Sequence, residues 1–277
     1  MRLPPHAARR LRLVSCSALA ALAGAAGAQT LAANLADLSL EQLSNVEVTS
    51  VSKRVQRLAD VAGSVYVISQ EDIRRSGATS LPEALRLAPN LQVARADANQ
   101  YAITARGFNS VLANKMLVLV DGRTVYSPLF SGVFWEAQDV MLEDVERIEV
   151  LSGSGGTLYG SNAVNGVINI ITRSAAETQG VLASAGFGSQ DRVLAARYGG
   201  TGSTGTHYRL YAKQSGRDNS ETANGAAVRD GSSKSLAGFR VDRGESRDQF
   251  TLQGDAYESR IDQAPERRRV SGANLLG

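Results

Sequence analysis

The sequence predicts an α+β domain followed by a run of antiparallel β-strands, and three observations predict it. Up to residue 173, β-branched apolar runs are interleaved with two short capped helices. From residue 174 the pattern changes to weak apolar/polar alternation broken by Gly, Ser, Asn and Asp turns. Glycine, 27 residues in all, is concentrated after position 153, and this shift places a boundary near Arg173-Ser174.

Residues 1–28 read as a secretory leader. Arg2, Arg9, Arg10 and Arg12 form the charged region, residues 13–22 the apolar core, and Ala26-Gly27-Ala28 the cleavage site. A core of about ten residues falls short of the roughly 20 that a spanning helix needs. Leu13-Val-Ser-Cys16 mimics a lipoprotein cleavage box, but only the arginine cluster precedes it. Four of the 30 Lys+Arg and none of the 27 Asp+Glu lie in the leader, leaving 26 against 27 after cleavage. The basic balance that suggests nucleic acid therefore disappears. Cys16, the only cysteine, leaves too, which excludes a disulfide framework and a thiolate metal site. His207 is then the only histidine, and no Gly-x-Ser-x-Gly elbow exists. No catalytic residues, metal site or cofactor are expected.

Residues 29–52 read as a tether, ending in the β-prone run Val46-Glu47-Val48-Thr49-Ser50-Val51. By residue type this run is equally the first strand of the domain or an extended segment that adds to a partner's sheet edge. Val65-Tyr-Val-Ile68 reads as a buried strand. Ser69 with Asp72 reads as a capping box opening a helix that ends at Ser76-Gly77. Ser80 and Glu83 stand in the same relation for a second helix, with Pro82 in its first turn and Pro89 ending it. Strands follow at 91–93 and 102–105, then a hairpin whose type I′ turn is Asp121-Gly122. Turn chemistry alone accounts for Asp121. Residues 140–146 read as a short helix, with Glu143, Asp144 and Glu146 on a solvated face.

Residues 147–173 organise the chain. A strand-like run, 148–151, feeds a loop carrying Gly153, Gly155, Gly156 and Gly160, and Asn165-Gly166 reads as a hairpin turn into a second run, 167–172. A phosphate loop would need a Lys and a helix after its glycines. No Lys follows here, and Val-Ile-Asn-Ile-Ile-Thr172 has the period of a strand.

In the last 104 residues, Val181, Ala183, Ala185 and Phe187 alternate with Leu182, Ser184 and Gly186; Tyr208, Leu210 and Ala212 alternate with His207, Arg209, Tyr211 and Lys213. Phe250, Leu252, Gly254 and Ala256 repeat the pattern. By period alone, outer-membrane strands and a soluble sheet with one wet face read identically.

The order of motifs is specific. Val65-Tyr-Val-Ile-Ser-Gln-Glu-Asp-Ile73, Leu81-Pro-Glu-Ala-Leu85, Arg106-Gly-Phe108, Leu117-Val-Leu-Val-Asp-Gly-Arg123, Val145-Glu-Arg-Ile-Glu-Val150 and Gly155-Gly-Thr-Leu-Tyr-Gly-Ser-Asn-Ala-Val-Asn-Gly-Val-Ile-Asn-Ile-Ile-Thr172 follow one another. This succession closely resembles the plug domain of TonB-dependent outer-membrane receptors. Ser154 departs from the family's Gly-Pro-Gly.

The resemblance implies a fold: an α+β plug domain (53–173), then the antiparallel β-strands of an incomplete outer-membrane β-barrel (174–277). It implies a function: energy-coupled uptake of an iron-siderophore or cobalamin-like ligand, with the plug gating the lumen. Its partners are then the TonB energy-transducing protein, outer-membrane lipid and a small metal chelate. The candidate TonB box is Glu47, Val48, Thr49, Ser50 and Val51. The plug-motif residues are Arg106, Gly107, Asp121, Gly122, Arg147, Glu149, Gly153, Gly155, Gly156, Gly160, Asn165 and Gly166. The alternative is a soluble periplasmic binding module. Residues 174–277 leave room for roughly five spanning strands, against about 22 in plugged transporters. The sequence therefore reads as the N-terminal portion of a receptor, whether a truncated frame, a fragment or a chain completed by another polypeptide.

Overall fold

A computed structural model describes residues 47–50, 56–61, 63–129, 131–160, 162–244, 249–263 and 266–277. The leader, most of the tether and Val51 lie outside these residues.

The first domain is built on a five-stranded sheet. Its strands are β3 (Ser64–Ser69), β6 (Met116–Val120), β7 (Arg123–Thr124), β10 (Val145–Ser152) and β11 (Gly166–Thr172), in the order β3-β10-β11-β6-β7. Three short pairs accompany it: β1 (Glu47–Val48) with β2 (Gln56–Arg57), β4 (Gln92–Arg95) with β5 (Tyr101–Thr104), and β8 (Tyr126–Ser127) with β9 (Gly132–Val133). All neighbours are antiparallel except β11 and β6. Both faces of β11 are covered, which is why it reads as a continuous apolar run and not as an alternating one. One face carries Ile68, Ile148, Val150, Ile168 and Ile170 against helices α1 (Gln70–Ser76) and α2 (Leu81–Leu85). The other carries Leu117, Leu119, Leu151, Ala163 and Val167.

Helix α1 starts as its sequence dictates. Ser69 Oγ accepts from the Asp72 amide at 3.1 Å, the Asp72 carboxylate accepts from the Ser69 amide at 3.0 Å, and Gly77 closes the helix at φ 68°. Ser69→Ala is expected to cost about 1 kcal/mol, read as faster amide exchange in the first turn of α1. Helix α2 departs from expectation. Ser80 forms no side-chain cap, and the Glu83 carboxylate that would complete the box is drawn away to the Tyr101 hydroxyl (2.6 Å) and to Arg86 (2.7 Å).

Two further expectations are corrected. Asn165-Gly166 is not a hairpin turn: neither residue has positive φ, and β10 reaches β11 through a loop containing the one-turn helix α3 (Gly156–Tyr159). Gly166 is required for a different reason, since a Cβ there would lie 2.2 Å from the Leu151 carbonyl oxygen. Residues 140–146 form only a 3₁₀ turn, Leu142–Asp144, before β10 begins, and Asp144 is buried rather than solvated. The Asp121-Gly122 turn does form, with φ 48° and 81°.

The second part is a six-stranded antiparallel wall, one strand more than the roughly five expected. Its strands are β12 (Gly180–Phe187), β13 (Asp191–Thr201), β14 (Thr206–Arg217), β17 (Ser232–Arg243), β18 (Phe250–Gln263) and β19 (Glu266–Leu276), adjacent in that order. Short connections, such as 188–190 and 202–205, make room for the extra strand. A small hairpin, β15 (Ser220–Glu221) with β16 (Ala227–Val228), decorates the connection 218–231.

The alternation places the apolar set outward. Val181 is 80% exposed and Leu210 54%, whereas Arg209 and Lys213, on the opposite face of β14, are 3% and 4% exposed. A soluble sheet buries its apolar face, and this wall does the reverse. From β13 on, its strands run 11 to 14 residues, enough for the 9–11 or so that a tilted span needs.

Candidate functional site: the docked N-terminal segment and the plug–wall interface

The lower-numbered end of the domain is held by one carboxylate. Glu149 on β10 and Asn169 on β11 are cross-strand partners, and with Arg147 they are polar side chains on the sheet face that carries Leu151 and Val167. Glu149 is fully buried. Its Oε2 accepts from the backbone amides of Thr49 (2.9 Å) and Ser50 (2.8 Å), and from the hydroxyls of Ser50 and Thr49 (the latter at 3.2 Å). Its Oε1 accepts from Arg147 Nε at 2.9 Å, and Asn169 Nδ2 donates to Thr49 Oγ1 at 3.3 Å. Two consecutive amides aimed at one oxygen make charge-assisted bonds, stronger than neutral ones.

Glu47 and Val48 add a short antiparallel pairing with Gln56 and Arg57. Val48 and Ser50 are buried and Glu47 is exposed, so residues 47–50 are docked on the sheet and do not stand free of the domain.

The remaining plug-motif residues fall into two groups. Arg106, Gly107, Gly153 and Asn165 form a node at the other end of β10. Arg106 and Gly107 have φ of 60° and 89°. Asn165 Nδ2 donates to the Gly107 carbonyl (3.4 Å) and Thr104 Oγ1 (3.3 Å), and the Gly153 amide to the Asn165 carbonyl (2.9 Å). The Arg106 guanidinium lies over Gly153, which sits at φ 136°. The Gly155 amide bonds the Ala163 carbonyl at 2.8 Å, so the amides of this glycine loop close the loop itself instead of cradling an anion. Gly155 is packed so closely that a Cβ would meet Val167 Cγ2 at 2.9 Å; Gly156 begins α3, and Gly160 follows at φ 92°.

Asp121 does more than turn the chain. Its carboxylate accepts from the Thr172 amide (2.7 Å) and hydroxyl (2.8 Å), and Arg240 Nη1 of the wall lies 3.9 Å away. It is the first of several plug carboxylates met by wall cations, a set that the motifs do not reveal. Asp144 pairs with Arg197 and faces Arg209 Nε at 3.7 Å. Arg209 also donates to the Arg173 carbonyl (2.5 Å) and Thr172 Oγ1 (2.9 Å). Asp139 receives Lys213 Nζ at 2.8 Å, and Lys234 Nζ reaches the Gln138 carbonyl at 3.3 Å. A basic residue at every fourth position on the inward parity of β14 is the sequence signal that identifies this interface.

At the far end of β14, Arg217 donates to the Ala98 carbonyl (2.9 Å) and to the Tyr101 hydroxyl (2.7 Å), besides pairing with Asp191. Asp230, in the connection 218–231, accepts from the Ala98 amide at 2.9 Å and from the Ser220 amide at 2.7 Å. Burial works to raise the Asp230 carboxyl, but these amides and the Ser220 hydroxyl hold it below its usual value. Burial and the Glu83 carboxylate push the Tyr101 hydroxyl up, against the pull of Arg217.

Among the described residues no group of three or more His, Cys, Asp or Glu side chains is placed to hold a metal, and no helix is long and apolar enough to cross a membrane. The latter says nothing about strands.

Comparison with known proteins adds the following. A family model described as the TonB-dependent receptor plug domain matches residues 57–167. The vitamin B12 transporter BtuB of Vibrio vulnificus is 37% identical over 150 residues, 53% of this chain and 24% of the relative. That of Vibrio cholerae is 32% identical over 144 residues, 52% of this chain and 23% of the relative. The chain thus spans about a quarter of the length of these relatives, which are named as transporters. In fold it is similar to the alcaligin outer-membrane receptor FauA of Bordetella pertussis (TM-score 0.66, 17% identity, 86% of this chain and 40% of that one). It is also similar to the ferripyoverdine receptor of Pseudomonas aeruginosa (0.62, 16%, 79% and 28%).

Proposed function

Because the chain belongs to the TonB-dependent receptor family, we propose that it supplies the plug and the first wall strands of a receptor for energy-coupled uptake of an iron-siderophore or cobalamin-like ligand. It is a chain of the outer membrane. The observation that carries the uptake reading is the wall turned inside out. Its apolar residues face outward to lipid, and its charged residues close on the plug.

The plug blocks the passage while its carboxylates stay on the wall cations. Force has to enter where the chain can be gripped, and residues 47–51 are that place. Released from Glu149, their amides and carbonyls become available to pair with the edge of a sheet in the TonB protein. Docking and partner pairing use the same backbone amides of Thr49 and Ser50, so the two states exclude each other.

Deleting residues 47–51 in the full-length receptor carrying this chain should abolish energy-dependent uptake of a radiolabelled ligand while leaving equilibrium binding to cells intact. Cyanocobalamin and ferric chelates are the ligands to compare. Uptake that survives the deletion refutes the assignment of the box.

A further inference from the structure

We propose that the wall connection 218–231 follows the position of the plug: a seated plug holds its hairpin in one place through Asp230, and a plug displaced by force sets it free. This rests on the uptake reading above.

The connection is the longest of the wall. It lies at the end away from residues 173–180, where the chain leaves the plug for its first wall strand. In outer-membrane barrels the short turns face the periplasm and the longer connections the exterior. The hairpin therefore stands on the outer side, while force enters at residues 47–50.

Its tip and its neck differ. Residues 221–229 are all exposed, and the tip closes on itself, with the Thr222 amide donating to the Ala226 carbonyl at 2.8 Å. Asp230 at the neck is only 5% exposed. Its Oδ2 accepts from the Ala98 amide at 2.9 Å, and Asn99 Nδ2 donates to its carbonyl. Arg217 Nη1 donates to the Ala98 carbonyl at 2.9 Å. The buried plug residue Ala98 is thus held by the wall through both its amide and its carbonyl. A hairpin with a free tip and a gripped neck takes its direction from the neck.

The plug side of this joint is stiff. Residues 96–100 turn between β4 and β5, closed by the Ala96 amide on the Gln100 carbonyl (2.9 Å). The Asp97 carboxylate accepts from the Asn99 and Gln100 amides at 2.8 and 2.7 Å. Tyr101 joins the same turn to Glu83 of α2. A shift of α2 with the β4–β5 pair therefore reaches Ala98 without being absorbed in the turn.

The joint can also part cleanly. Away from the plug, Asp230 keeps the Ser220 amide at 2.7 Å and Arg217 keeps Asp191. Asn219 Oδ1 still accepts from the Asp230 and Gly231 amides at 3.1 and 2.8 Å. Each charged member retains a partner within the wall, so separation avoids the cost of a stranded buried charge. Bonds that served only to shape the neck would stop at Ser220 and Asn219; those from Asp230 and Arg217 go on to plug backbone.

The test places spin labels at Ser189→Cys and Asn224→Cys, both in exposed connections, of the full-length receptor otherwise free of cysteine. The distance between them is measured in intact cells, either treated with a protonophore or energised and supplied with cyanocobalamin or a panel of ferric siderophores. De-energised cells should give one narrow distribution, and cells taking up ligand should add a broad second population. Asp230→Ala should raise that population about tenfold or more without energy. Asn99→Ala leaves the neck's own bonds in place and removes, among the described bonds, only that to the Asp230 carbonyl. It should raise the broad population in the same direction. A distribution that neither variant changes, or that stays narrow in cells taking up ligand, overturns the proposal. If the receptor takes up none of these ligands, the uptake reading beneath fails, and the joint is judged on the two variants alone.

Discussion

Glu149→Gln is expected to free residues 47–50 from the plug while leaving the sheet intact. The wild-type carboxylate accepts two backbone amides and two hydroxyls from Thr49 and Ser50. Glutamine offers one acceptor oxygen; set towards those amides, it turns its NH2 donor towards Arg147 Nε, and the charge assistance is lost. At about 1.5–3 kcal/mol for a hydrogen bond to a charged group, losing the equivalent of one or two shifts the docked population by roughly 100-fold. Hydrogen exchange at Thr49 and Ser50 should accelerate by that order, with Ile148 and Val150 unchanged. Binding to the soluble domain of the TonB protein should tighten, because the segment no longer has to be pulled from its cradle before pairing. Unaltered exchange at Ser50 would show that the segment is held by something other than this carboxylate.

Asp144→Ala should loosen the plug from the wall. Asp144 is 2% exposed and pairs with Arg197 while facing Arg209. Arg209 keeps the Arg173 carbonyl and Thr172, but Arg197 loses the carboxylate it is buried against. Removing one member of a buried pair costs about 3–5 kcal/mol. The thermal transition of the receptor in detergent should fall accordingly. Adding Arg197→Met removes the stranded charge and should recover most of the loss. A double variant no more stable than Asp144→Ala would mean that the pair does not act as a unit.

The two predictions draw on different kinds of signal. Glu149 was visible in the sequence as a motif residue, but its job was not. A lone carboxylate in a β-branched run says that something polar must be met there, and only the folded chain shows that the partner is a backbone 100 residues away. Asp144 was placed on a solvated helix face because three acids fall within 143–146. The wall overrides that pattern by bringing Arg197 across 53 residues, and local sequence carries no record of such a contact. Glu83 failed as a capping acid for the same reason, since Tyr101 competes for it. The Asn165-Gly166 pair misled because it carries the composition of a turn. The glycine is in fact demanded by the Leu151 carbonyl on the adjacent strand, and the asparagine by the carbonyl of Gly107.

What the sequence determined by itself was everything set by neighbours in the chain. This includes the capped start of α1, the Asp121-Gly122 turn, the buried runs of the plug sheet, and the alternation that divides each wall strand into two faces. Those properties follow from backbone sterics and from side-chain period, which act over a few residues. The tertiary structure alone decided which face of the wall meets lipid, which carboxylate meets which cation, and whether residues 47–50 are free or docked. Each of these is a pairing between groups far apart in sequence. Their energies arise only when burial removes water from both partners.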